Sequence, residues 1–157
     1  MKIQMVGVST APIDSDFSRD TWQQACDDTI LHPELPWEGR CIEASAMCKQ
    51  VGKLYMFYGG AYNNWPQQIG CAVSEDGIAW TRVSDEPVLP NGKEGEWNSS
   101  ESGHPFLFEA ADGKHHLFFQ GNNDCCLGEL RMSFKQSTKG ILLWKFQKNF
   151  FLKKNYK

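Results

Sequence analysis

Seven short stretches of this chain combine period-two alternation of apolar and polar residues with dense aromatic and β-branched content. The alternation runs through residues 3–10 (IQMVGVST), 42–49, 53–60 (KLYMFYGG) and 67–74, and again through 103–109, 114–121 and 128–134. Period-two patterning rich in Val, Ile, Tyr and Phe predicts half-buried strands. Gly, Asn, Asp and Pro cluster between the segments, as turns require. No segment before residue 134 carries a helical period, so no helix is predicted there.

The strands repeat. GKLYMFYGG at 52–60 matches GKHHLFFQG at 113–121, an offset of 61 that sets Glu43 opposite His104. TWQQ at 21–24 mirrors AWTR at 79–82, the expected outer strand, and residues 3–10 resemble the third strand of an earlier, incomplete repeat. Two Pro-containing connectors, 27–40 and 86–102, lead to inner strands, and each holds a tryptophan, Trp37 or Trp97. Four antiparallel strands per repeat at a fixed period predict an all-β fold of propeller blades. The chain holds about two to two-and-a-half such blades.

The end of the chain departs from this pattern. Residues 1–129 hold 19 acidic and eight basic residues, net −11, whereas residues 130–157 hold eight basic residues and no acidic one, net +8. This break divides the chain into a blade-containing domain, 1–134, and a basic, atypical tail, 135–157. Leu142, Phe146 and Phe150 recur every four residues between lysines. That spacing is open to two readings, a basic amphipathic helix or an altered chain end.

Composition narrows the class further. Aromatic residues make up 13% of the 157, with six Trp and ten Phe, and no apolar run is long enough to span a membrane. The six cysteines show no CxxC pair and no zinc spacing, and Cys48 and Cys71, which lie in strand patterns, are expected to be buried free thiols ahead of a disulfide framework. The N-terminus reads as a strand and not as a signal peptide, which makes the cytoplasm the default location. No nucleic-acid or membrane partner is expected, although the amphipathic-helix reading of the basic tail would favour anionic surfaces.

The stretch from Ile42 to Trp80 resembles the five-bladed β-propeller glycoside hydrolases of families 43 and 32. It carries an acidic residue, Glu43, in an inner strand, then GKLYMFYGG, then the run Ile69, Gly70, Ala72, Ser74, Asp76, Gly77 and Trp80. SGHPFLFEAADGKHHLFF at 102–119 resembles the following blade. The resemblance covers residues 5 to about 133. It implies a glycoside hydrolase, or part of one, acting on oligo- or polysaccharides through acid/base carboxyl chemistry. It also implies that Glu43 is the general acid. His104 then stands at the channel, where it binds substrate, with a structural calcium ion as the one metal the family pattern allows there. No other cofactor is implied. The family's catalytic Asp lies in a first-blade strand that nothing here matches; Asp14 and Asp16 fall in a loop.

Each site residue has a second, structural reading. Glu43 could instead pair with Arg40 or Lys49. Trp37, Tyr62, Trp65 and Trp97 sit in or beside loops next to the inner strands, where rings either stack on sugars or pack blade on blade. Asn98 in the second connector is a candidate hydrogen-bond partner for sugar hydroxyls. A mannoside phosphorylase is a second enzyme class for the same run, and its phosphate site would draw on Arg40, Arg82 and Lys93. A third reading is a non-catalytic carbohydrate-binding module. Two blades leave faces uncovered, so the missing blades or self-association are the expected protein partners.

Overall fold

The structure is a computed structural model that describes residues 3–61, 66–121, 126–136 and 142–153. These residues form ten strands in three antiparallel sheets. A short N-terminal sheet pairs β1 (Ser9–Thr10) with β2 (Gln23–Gln24). The first large sheet is β3 (Ile42–Gln50), β4 (Lys53–Gly60), β5 (Gln68–Ser74) and β6 (Thr81–Arg82), paired in chain order. The second is β7 (Ser102–Glu109), β8 (His115–Gly121), β9 (Cys126–Gln136) and β10 (Leu142–Lys153), again in chain order. Among the described residues the only helical turns are 3-10 turns at Arg19–Thr21 and Pro36–Glu38.

The turns follow from local chemistry. Val51 and Gly52, both at positive φ, close the β3–β4 hairpin as a two-residue turn. Between β5 and β6 the Asp76 carboxylate accepts the amides of Ile78 and Ala79, and Trp80 Nε1 donates to the Gly77 carbonyl. These bonds cap the hairpin, with Gly77 at φ 81°.

The tail corrects one expectation. Residues 142–153 form a strand, β10, paired with β9 from Leu142↔Gln136 to Lys153↔Cys126. A spacing of four is common to a helix and to a strand. Apolar residues at 142, 144, 146, 150 and 152 obey the period of two, and that pattern wins. The second sheet therefore has its fourth strand, and the repeat does not stop at 134.

Register corrects another. Within β3 and β7 the equivalent positions lie 60 apart, because Glu43 pairs with Gly59 and Gly103 with Gln120, and a bulge follows each. In β4 and β8 the offset is 61. The β7–β8 turn, where Ala110 N bonds Lys114 O, holds one more residue than the β3–β4 turn. Glu43 therefore matches Gly103, and His104 falls at the next position, inside the bulge, at φ 48°.

The sheets pack face to face. Tyr55, Phe57 and Cys71 of the first sheet bury against Leu117 and Phe119 of the second, with Ile69 and Leu89. The opposite face of the first sheet, Met56, Tyr58 and Ala72, packs on Val6, Ile30 and Leu31. Two equivalent parallel bridges tie successive units together: Gln4 to Cys41, and Gln67 to Glu101. Among the described residues Cys26, Cys41, Cys48 and Cys71 are free thiols; of the two expected to be buried, Cys71 is buried and Cys48 half-buried.

Candidate functional site

The second of those bridges builds the site. Gln67 precedes β5 and Glu101 precedes β7, and Ser102 N donates to the Gln67 carbonyl at 2.8 Å. This fixes the Gln67 side chain between the inner strands of the two large sheets. Its Nε2 donates to Glu43 Oε1 at 3.0 Å. A carboxylate only accepts, so the amide must turn its NH₂ to Glu43 and its oxygen the other way. Among the described residues that oxygen, Gln67 Oε1, has no hydrogen-bond donor, and it is buried. It lies over Gly103, where any Cβ would collide with the Gln67 carboxamide and would stand 3.1 Å from Glu101 Oε1. Glu101 in turn faces His104, Oε1 to Nε2 at 3.8 Å.

Glu43, Gln67, Glu101 and His104 thus form one polar cluster at the junction of β3 and β7. Gln67 and Glu101 are buried, Glu43 is half-buried and His104 is exposed. A buried acceptor without a donor costs about 1–3 kcal/mol, so a donor from water or from a bound ligand is favoured at this oxygen. Glu43 pairs with Gln67; no ion pair links it to Arg40 or Lys49.

No family model and no curated protein matches the chain. Solved structures do. A thermostable family-43 glycoside hydrolase matches at TM-score 0.61 and 25% identity, over 83% of this chain and 46% of that one. An endo-1,4-beta-xylanase from Bacteroides thetaiotaomicron matches at TM-score 0.55 and 20% identity, over 83% of this chain and 46% of that one. Zg3597, a family 117 glycoside hydrolase from Zobellia galactanivorans, matches at TM-score 0.54 and 21% identity, over 71% and 34%. The fold is that of the β-propeller glycoside hydrolases. The chain spans less than half the length of each of these neighbours.

The two large sheets are therefore propeller blades, and the remaining candidates can be placed on them. Trp37 lies in the blade packing, not at the cluster. Its ring stacks on Tyr58 at 6.0 Å and 15°, and Nε1 donates to the Asp85 carbonyl at 2.8 Å. It covers Gly60 and Gly70, where a Cβ would stand 2.6 Å and 2.7 Å from the indole. Trp97 does the same one blade later: it covers Gly121 and tilts against Phe119 at 5.4 Å. Both tryptophans follow the packing reading. Asn98 is buried and donates through Nδ2 to Ser102 Oγ at 2.9 Å, so it braces the connector. Tyr62 and Trp65 lie outside the described residues.

One deeply buried carboxylate escaped the sequence reading. Glu38, at 0% exposure, accepts Tyr58 Oη at 2.7 Å, Arg82 Nε and Nη2 at 2.8 Å, and the amides of Glu34 and Leu35 at 2.8 and 3.0 Å. Burial alone would raise its pKa. Arg82, the two amides and the phenol outweigh burial, so the carboxyl sits below the usual glutamate range. The same burial, with the Glu38 hydrogen bond, pushes the Tyr58 phenol far up. Every lone pair of this carboxylate is engaged inside the blade, so the network locks the connector and performs no chemistry. It also occupies Arg82, which Glu34 and Glu38 neutralise, so Arg82 cannot serve a phosphate.

Among the described residues no group of three or more His, Cys, Asp or Glu could hold a metal ion. Glu101 and His104 offer one carboxylate and one imidazole. Calcium takes six to eight oxygen donors, so an ion held here would draw most of them from water or backbone carbonyls.

Proposed function

We propose that this chain is the part of a propeller glycoside hydrolase that binds carbohydrate at the Glu43–Gln67–Glu101–His104 cluster, with Glu43 as the general acid. The observation that carries the reading is the Gln67 Nε2–Glu43 Oε1 hydrogen bond across the blade junction. It holds one carboxyl oxygen and leaves the other for a substrate. An acid catalyst must present its proton within hydrogen-bond reach of the leaving oxygen, and this clamp sets that direction. Glu101 orients His104, whose exposed ring is placed to hydrogen-bond a sugar hydroxyl. Cleavage requires a second carboxyl across the scissile bond, to activate water or to attack. Glu101 is turned to His104 and buried, so the second carboxyl is expected from outside the described residues.

The phosphorylase reading loses Arg82 to the Glu38 network and retains only the exposed Arg40 and Lys93.

Titration of the ¹⁵N-labelled chain with a panel of pentose and hexose oligosaccharides tests the proposal. The Gln67 side-chain amide and the His104 ring signals shift with at least one sugar, and Glu43→Gln weakens that binding. Signals that move with no sugar overturn the assignment of the site.

A further inference from the structure

We propose that Glu101 is held as a neutral carboxylic acid and donates its proton to Gln67 Oε1, which makes it a positioning residue for Glu43. The first junction of the molecule has the same arrangement with its donor identified. There Gln4 bridges to Cys41 as Gln67 bridges to Glu101, and Ile42 N donates to the Gln4 carbonyl as Ser102 N does to that of Gln67. Cys41 is therefore the counterpart of Glu101. Its thiol donates to Gln4 Oε1 at 2.9 Å. The residue at this position supplies a donor to the glutamine oxygen, and a carboxyl can do so only when it is protonated.

Donor counting gives the same result. The Gln67 carboxamide lies between two carboxyls, with Nε2 toward Glu43 and Gly59 and Oε1 toward Glu101 and Gly103. An amide has one donating end and one accepting end, so it satisfies two carboxyls when one of them carries a proton. Nε2 is engaged with Glu43 Oε1 at 3.0 Å, which leaves the proton to Glu101. Burial agrees: desolvation favours the neutral form, and Glu101 is 7% exposed whereas Glu43 is half-buried. A water is the poorer donor here. It needs room, and the carboxamide lies so close over Gly103 that a Cβ would already collide with it.

His104 is the third titratable group at the junction, with Nε2 3.8 Å from Glu101 Oε1, beyond hydrogen-bond reach. The register partners from β4 and β8, Gly59 and Gln120, carry no charge. The consequence for the site rests on the proposed role of Glu43. With Gln67 Oε1 tied to Glu101, the amide does not turn, and Nε2 keeps its hold on Glu43 Oε1. A proton on Glu43 must then sit on the other oxygen, the one left for a leaving group. An ionised Glu101 would instead turn the NH₂ toward itself and draw the Glu43 proton inward.

The experiment compares the unaltered chain with Glu101→Cys and Glu101→Met. All three carry ¹³C-labelled glutamate carboxyls and are studied at neutral pH, with and without calcium. Infrared and ¹³C NMR spectra of the unaltered chain show one protonated carboxyl, absent from both variants and indifferent to calcium. Glu101→Cys rebuilds the first junction, so the Gln67 side-chain amide signals and the denaturation midpoint stay close to those of the unaltered chain. Glu101→Met fills the space without a donor, so the amide signals move and the midpoint falls. Should Glu101→Met fail to fold, the carboxyl spectrum of the unaltered chain and the Cys variant decide. A carboxylate signal for Glu101 in either condition, or Cys and Met variants that behave alike, overturns the proposal. None of these readouts needs a sugar, so this result and the sugar titration fail independently.

Discussion

Glu43 and Gly103 occupy the same register position in successive blades, and Gln67 lies between them. One site holds a carboxylate that the Gln67 amide binds. The other holds a glycine because the same amide fills the space a side chain would need. The two positions are therefore coupled through one residue, although 60 positions separate them.

Gly103→Ala tests that coupling. The new methyl group must displace the buried Gln67 side chain, an overpacking event that costs about 1–3 kcal/mol. The Gln67–Glu43 hydrogen bond breaks with it. Chemical denaturation should show the lost stability, and the Gln67 side-chain amide signal should move. A substitution that leaves both unchanged would mean the amide has another place to go.

The Glu38 network gives a pH-dependent prediction. The folded-state pKa of Glu38 is lowered, so its stabilising contribution is present above the unfolded value, near 4.5, and is lost as pH falls through the folded value. Glu38→Gln removes one partner of a buried ion pair and should cost about 3–5 kcal/mol at neutral pH. The variant should also show a shallower loss of stability on acidification below about pH 5. A double-mutant cycle with Arg82→Met separates the pair from its surroundings.

Thiol chemistry should report the same packing. Burial pushes the Cys48 thiol up to about 11, with the Glu109 charge adding to it, and pushes Cys71 further still. Thiolate is the reactive form, so alkylation at pH 8 should spare both. Peptide mass analysis should find Cys26 labelled first and Cys71 last among the four described thiols.

Much of the fold was legible because strands declare themselves by period. KLYMFYGG, QIGCAVS and HHLFFQG appear as strands where the alternation placed them. Where the reading failed, the signal was ambiguous in itself. One extra residue in the Ala110–Lys114 turn shifts β7 against β8, and an alignment anchored on β8 carries that shift into Glu43 and His104. Trp37 and Trp97 look like sugar platforms because a tryptophan in a loop has the same sequence signature in either role; the glycines opposite them, Gly60 and Gly121, were the missed evidence of packing. Gln67 carried no signal at all. A neutral amide in a turn becomes visible only when the bridge to Glu101 places it between two blades.

The last prediction concerns turnover by this chain. Glycoside cleavage by either stereochemical route takes two carboxyls, one on each side of the scissile bond. Around Gln67 the described carboxyls are Glu43 and Glu101. The Glu101 side chain is only 10% exposed and faces His104, so water or an anomeric carbon reaches it poorly. Hydrolysis of aryl glycosides by this chain should therefore lie near background, while sugar binding at the cluster persists. Glu43→Gln should lower any residual rate. Glu101→Gln should change sugar binding through His104 and leave that rate within about threefold, since a positioning group does not act on the reacting atoms. Strong turnover lost equally in both variants would make Glu43 and Glu101 the catalytic pair.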